Sequence, residues 1–205
     1  MIKEKLGGRL DGWIQAAVPF LFRRPVNPNI LTVTGALVSL GAAVVFAHGW
    51  FVAGGFLILA GGAFDLIDGV VARHHGISTR FGAFLDSTMD RFVDMALLLG
   101  IAMHFALGGE PRFVLLAGYA LVVTVLVSYA QARAEIAVPS FRVGVLERAE
   151  RVLILAAGAL SGYVIPALWI IAIGSTVTVG QRFARAYREM ERIDAAERAS
   201  LEGNT

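Results

Sequence analysis

Four carboxylates, Asp65, Asp68, Asp86 and Asp90, stand at the ends of two apolar runs, GWFVAGGFLILAGGAF and FVDMALLLGIAMHFAL. On a helix, Asp65, Asp68 and Ala72 fall along one stripe. Asp86 and Asp90 share a face one turn apart, with Gly82 a turn earlier. Two helices joined by the basic loop HHGISTR can therefore aim four carboxylates at one spot. Like charges at that range do not all stay ionised in a low-dielectric site unless a cation offsets them. Hard oxygen donors suit Mg²⁺, Mn²⁺ or Ca²⁺. The plainer alternative is that the acids cap helices or pair with Arg73, Arg80 and Arg91. Four acids among membrane helices argue against it, because intramembrane acids are costly and mark function.

The elements that must position these acids are membrane helices. The 205 residues are 57% hydrophobic and 17% charged, with a mean hydropathy of +0.68. A soluble domain of this size carries more charge. Cysteine is absent, which excludes a disulfide framework, a thiol nucleophile and a cysteine-based zinc site. MIKEKLGGRLDGW has no apolar stretch or small-residue cleavage site, so no cleavable signal peptide is expected. Residues 1–24 read as an interfacial amphipathic helix with Trp13 and a basic end.

The first span starts at Pro28, with Asn27 as its cap, and runs to Ala47. The second ends near Arg73 and the third covers Ala83 to Leu107. The fourth covers Phe113 to Ala134, the fifth Val145 to Tyr163, and the sixth Pro166 to Phe183. Residues 184–205 form a charged, solvated helical tail. The expected fold is an all-α integral membrane bundle of six transmembrane helices with an N-terminal interfacial helix, a single domain over 1–205.

The segment Asp65-Leu-Ile-Asp68-Gly69-Val-Val-Ala72-Arg73, eight residues, then Gly82-Ala-Phe-Leu-Asp86-Ser-Thr-Met-Asp90 resembles the signature of the CDP-alcohol phosphotransferase family. All eight fixed positions of that signature are present at the right spacing. The resemblance implies that Asp65, Asp68, Asp86 and Asp90 hold metal, Mg²⁺ or Mn²⁺ and two ions rather than one. It implies Asp90 as the general base. Asn29, Thr32, Asp68, Gly69, Ala72, Arg73 and Gly82 would hold a CDP-lipid donor, Asn29 and Thr32 through the stretch PNILT. Gly69 and Gly82 would leave room for the nucleotide. Asp94, a turn beyond Asp90, lies outside the signature and is expected to pair with an arginine. His74 and His75 read as loop residues rather than zinc ligands.

The stretch from Phe84 to Arg91 is similar to the subgroup that makes phosphatidylinositol phosphate, as are SYAQARAE, ERAER and Gln181-Arg182. The resemblance then implies transfer of a phosphatidyl group from CDP-diacylglycerol to a polyol phosphate, best inositol phosphate, with release of CMP. Ser128, Arg133, Arg148 and Arg182 are the expected acceptor residues, since a guanidinium grips phosphate through two hydrogen bonds. One position departs: the subgroup has lysine where this chain has Gln131. Synthesis of phosphatidylglycerol phosphate is the neighbouring alternative. A divalent-cation transporter is the alternative of another class, but transport acids sit near the midplane between repeats, and no repeat is present.

Basic residues collect on one side, from Lys3 and Arg24 through Arg73, Arg80 and Arg142 to Arg188; the other side has only His48, Glu110 and Arg112. By the positive-inside rule both termini and the aspartates face the cytoplasm, in a bacterial inner membrane. Membrane lipids are expected partners, nucleic acid is not, and the resemblance implies a homodimer.

Overall fold

The computed structural model describes residues 27–138 and 141–202, with Ala16, Pro19 and Phe22 as isolated positions before them. The interfacial helix expected over residues 1–24 therefore lies outside the described residues. Among the described residues six helices follow one another: α1 (Pro28–Ala47), α2 (Phe51–His74), α3 (Arg80–Leu107), α4 (Pro111–Ala137), α5 (Arg148–Ser161) and α6 (Val164–Glu202). The first begins as the sequence requires. The Asn27 side chain accepts from the Asn29 amide at 3.0 Å, and Pro28 occupies the first turn, where no backbone donor is needed.

The main packing contacts join α1 to α2 and α3, α3 to α4, α4 to α6, α6 to α5, and α5 back to α2. The helices thus close a ring. Its apolar interior is built from Phe46, Ile58, Leu97, Ile101, Leu155 and Leu168. The outward surface is apolar too, with Leu37, Phe56, Leu99, Leu115 and Ile173 exposed. A helix that is apolar on every side belongs in lipid. Among the described residues, α1, α2, α4 and α6 are each long and apolar enough to cross a membrane. Small residues let α1 and α2 approach closely. A Cβ on Gly61 would stand 2.9 Å from the Gly35 carbonyl oxygen.

Two spans differ from expectation. The fifth is helical for only 14 residues, shorter than the stretch Val145 to Tyr163. Gly162 takes the left-handed conformation (φ 80°) and ends it, as glycine does at helix C-termini. Before it, the loop turns into the bundle: Phe141 and Leu146 are buried, and the Leu146 amide donates to Thr178 Oγ1 at 3.1 Å. The sixth span does not stop near Phe183. It continues as one helix of 39 residues to Glu202 and carries the charged tail on the same axis.

Candidate active site

The aspartates come together where α2 ends and α3 begins. The connection is five residues long, and Thr79 caps α3 by accepting from the Gly82 amide at 2.9 Å. Asp65, Asp68 and Asp86 each place a carboxylate oxygen within 4.8 Å of the others. Asp68 is buried and accepts a hydrogen bond from the Thr32 hydroxyl of α1. Three hard anionic oxygens at this spacing, one of them on a buried side chain, fit a divalent cation of the Mg²⁺ or Mn²⁺ type.

Asp90 is not part of that trio. Its Oδ2 is 2.9 Å from Nη1 of Arg148, on α5, and the same nitrogen donates to Asp65 Oδ2 at 3.0 Å. Asp94 stands 3.5 Å from Arg148 Nε and 3.1 Å from Arg151 Nη2. Arg151 and Asp94 are both buried, and this pair ties α3 to α5 directly below the site.

A cavity of about 180 Å³ opens beside the trio between α1, α2 and α3. Asn29, Thr32, Asp68, Gly69, Ala72, Arg73 and Gly82 all line it, so every residue expected to hold the donor reaches one space. Asp86 lines it as well. Ser78 and Thr79 also contribute; a threonine three residues before Gly82 is the sign of this in the sequence, since a helix start is where such a cap belongs.

A second cavity, about 370 Å³, lies between α3, α4, α5 and α6. Asp86 and Asp90 form one wall. Ser128, Arg148 and Arg182, three of the residues expected to bind the acceptor, line it. Arg133 does not. It is exposed and borders neither cavity. Ser128 and Gln131 share a helix face at i and i+3, while Arg133, two residues on, points elsewhere. Arg182 is buried; its Nε donates to the Val143 carbonyl at 2.7 Å and its Nη1 to the Val127 carbonyl. Gln131 donates to Glu135 at 2.8 Å. The cavity also brings in Arg91, Arg142 and Arg151. His74 ends α2 and His75 caps it; neither joins a metal-ligating group among the described residues.

The sequence pattern of CDP-alcohol phosphatidyltransferases matches residues 25–180, most of the bundle and all four aspartates. The chain belongs to this family. Among CDP-alcohol phosphatidyltransferases it is similar to the phosphatidylinositol phosphate synthase of Streptomyces avermitilis, at 41% identity over 86% of this chain and 79% of the relative. It is also 41% identical to the archaetidylinositol phosphate synthase of Methanothermobacter thermautotrophicus, over 72% of this chain and 73% of that one. The phosphatidylinositol phosphate synthase of Mycobacterium tuberculosis, solved with CDP-DAG bound, superposes with a TM-score of 0.78 at 30% identity, covering 85% of this chain and 93% of that one. The same enzyme in complex with manganese and citrate gives a TM-score of 0.77 at 30% identity, over 85% of this chain and 88% of that one. As a CDP-alcohol phosphatidyltransferase the chain is an integral membrane enzyme, and its apolar exterior agrees with that.

Proposed function

We propose that the chain transfers a phosphatidyl group from CDP-diacylglycerol to inositol phosphate, forming phosphatidylinositol phosphate and CMP. The observation that carries this reading is Asp86, which lines both cavities. One cavity holds the family's donor residues and the other collects five arginines. A nucleotide donor and an anionic acceptor placed in them would meet at the aspartates. The relatives support the choice of acceptor: the lipid part of their names differs, but inositol phosphate is common to them.

In this reading the acceptor hydroxyl attacks the phosphorus on the lipid side of the donor. Asp90, in the wall of the basic cavity, takes the hydroxyl proton. The bond from that phosphorus to the CMP oxygen breaks, and CMP leaves through the donor cavity. Asn29, Thr32 and Arg73 orient the cytidine diphosphate end, and Gly69 and Gly82 admit it close to the backbone. Asp65, Asp68 and Asp86, with Asp90, would hold Mg²⁺ or Mn²⁺, which supplies positive charge to the pyrophosphate and to the departing CMP. Ser128, Arg148 and Arg182 surround the acceptor.

The reading extends to a homodimer in the bacterial inner membrane, with both termini and the site on the cytoplasmic side. The uneven distribution of basic residues supports the orientation. The test is a panel of acceptors given to the purified protein in detergent with CDP-diacylglycerol and Mg²⁺ or Mn²⁺, following CMP release. Inositol phosphate should give the highest kcat/KM. A preference for glycerol phosphate would move the chain to phosphatidylglycerol phosphate synthesis.

A further inference from the structure

We infer that Arg142, in the loop between α4 and α5, grips the acceptor phosphate, in place of the lysine that the resemblance implies at the position of Gln131. The inference rests on the reading of the chain as a transferase to a phosphorylated polyol.

Five arginines line the basic cavity, and four of them are already engaged with the protein. Arg91 donates to the Ser87 carbonyl. Arg148 lies between Asp65 and Asp90. Arg151 holds Asp94 and reaches the Leu146 carbonyl at 3.4 Å. Arg182 holds the carbonyls of Val127 and Val143. Arg142 is exposed, and among the described residues no group pairs with it.

Arg148, Arg151 and Arg182 satisfy acids and carbonyls inside the bundle, and withdrawing them would leave such groups unpaired, while Arg91 is drawn back along its own helix to the Ser87 carbonyl. The free guanidinium is the one that can turn its donors to a phosphate without that cost. Gln131, where the resemblance implies a lysine, is neutral, and its amide is turned to Glu135. Gln131 and Arg142 face one cavity from α4 and from the loop that follows it.

The experiment uses the full chain in detergent with CDP-diacylglycerol, Mn²⁺ and inositol phosphate. Arg142→Ala should raise the acceptor KM by about ten- to a hundredfold, the range for one charge-assisted contact. Donor KM and thermal midpoint should stay at wild-type values. Adding Gln131→Lys to Arg142→Ala should bring the acceptor KM back toward wild type. Arg142→Lys should fall between, since it keeps the charge but not the two-pronged grip. An acceptor KM within about twofold of wild type for Arg142→Ala overturns the inference and leaves the transferase reading intact. If the wild type prefers glycerol phosphate, the choice of inositol fails, and the same comparison with glycerol phosphate decides on Arg142. A wild type that transfers only to unphosphorylated alcohols, or to none, overturns both.

Discussion

Arg148 holds Asp90 at 2.9 Å, from the first residue of α5 across to α3. The contact fixes the carboxylate in the wall of the basic cavity, and the same nitrogen reaches Asp65 among the candidate metal ligands. One side chain therefore links the group proposed as general base to the group proposed to hold metal. Its consequences can be measured.

Asp90→Asn keeps the shape of the side chain and removes its ability to take a proton. With Asp90 as the base, kcat should fall by roughly 10²- to 10⁴-fold while both KM values change little. Steady-state CMP release in detergent, at saturating donor and acceptor, is the measurement. A kcat near wild type would remove Asp90 from the chemistry.

Chelation should stop the reaction. EDTA is expected to abolish CMP release, and Mg²⁺ or Mn²⁺ added in excess to restore it. Asp68→Asn, which removes one oxygen charge from the trio, should raise the metal concentration needed for half-maximal rate. Undiminished turnover in a chelated preparation rules out a metal role for Asp65, Asp68 and Asp86.

Arg182 and Arg133 should behave differently. Arg182→Ala removes the donor to the Val143 carbonyl of the loop and a second, buried bond to the Val127 carbonyl of α4. A lost hydrogen bond from a charged donor costs about 1.5–3 kcal/mol, so the thermal midpoint in detergent should drop along with acceptor binding. Arg133 is exposed and outside both cavities, so Arg133→Ala should leave the midpoint and both KM values unchanged. Equal effects from the two would contradict the packing of α4 against α6.

Topology is open to a direct assay because the chain contains no cysteine. A single cysteine at Ala199, exposed on the distal part of α6, should react with an impermeant reagent only from the cytoplasmic side. One at Gly108, at the end of α3, should react only from the opposite side. Labelling of both from one side would overturn the proposed orientation.

The proposed donor half of the site is legible in the sequence because it is local. Asp65, Asp68, Gly69, Ala72 and Arg73 sit on one helix, Gly82 and Asp86 start the next, and a short connection forces the two to meet. Helical spacing alone puts the acids of each helix on one face. The proposed acceptor half is harder to read, because it is assembled from four helices and a loop. No spacing rule joins Asp90 to Arg148, or turns Arg182 inward to two carbonyls. Arg133 resembles part of the same cluster as Gln131 because sequence proximity hides the angle between i and i+2 on a helix. The length of α5 is hidden for a related reason. Val145 and Leu146 are apolar enough to extend a span, but Leu146 is held by Thr178 of α6, a contact visible only in three dimensions.

The wall that Asp86 provides to both cavities has a consequence for inhibitor design. With the two cavities in their proposed roles, a molecule that joins a cytidine diphosphate mimic to a phosphorylated ring through a short linker would lie in both spaces at once. Its second half would bind at the high effective concentration set by the linker, so affinity would multiply rather than add. Such a compound would compete with both substrates, and a linker too short to pass Asp86 would lose the gain entirely.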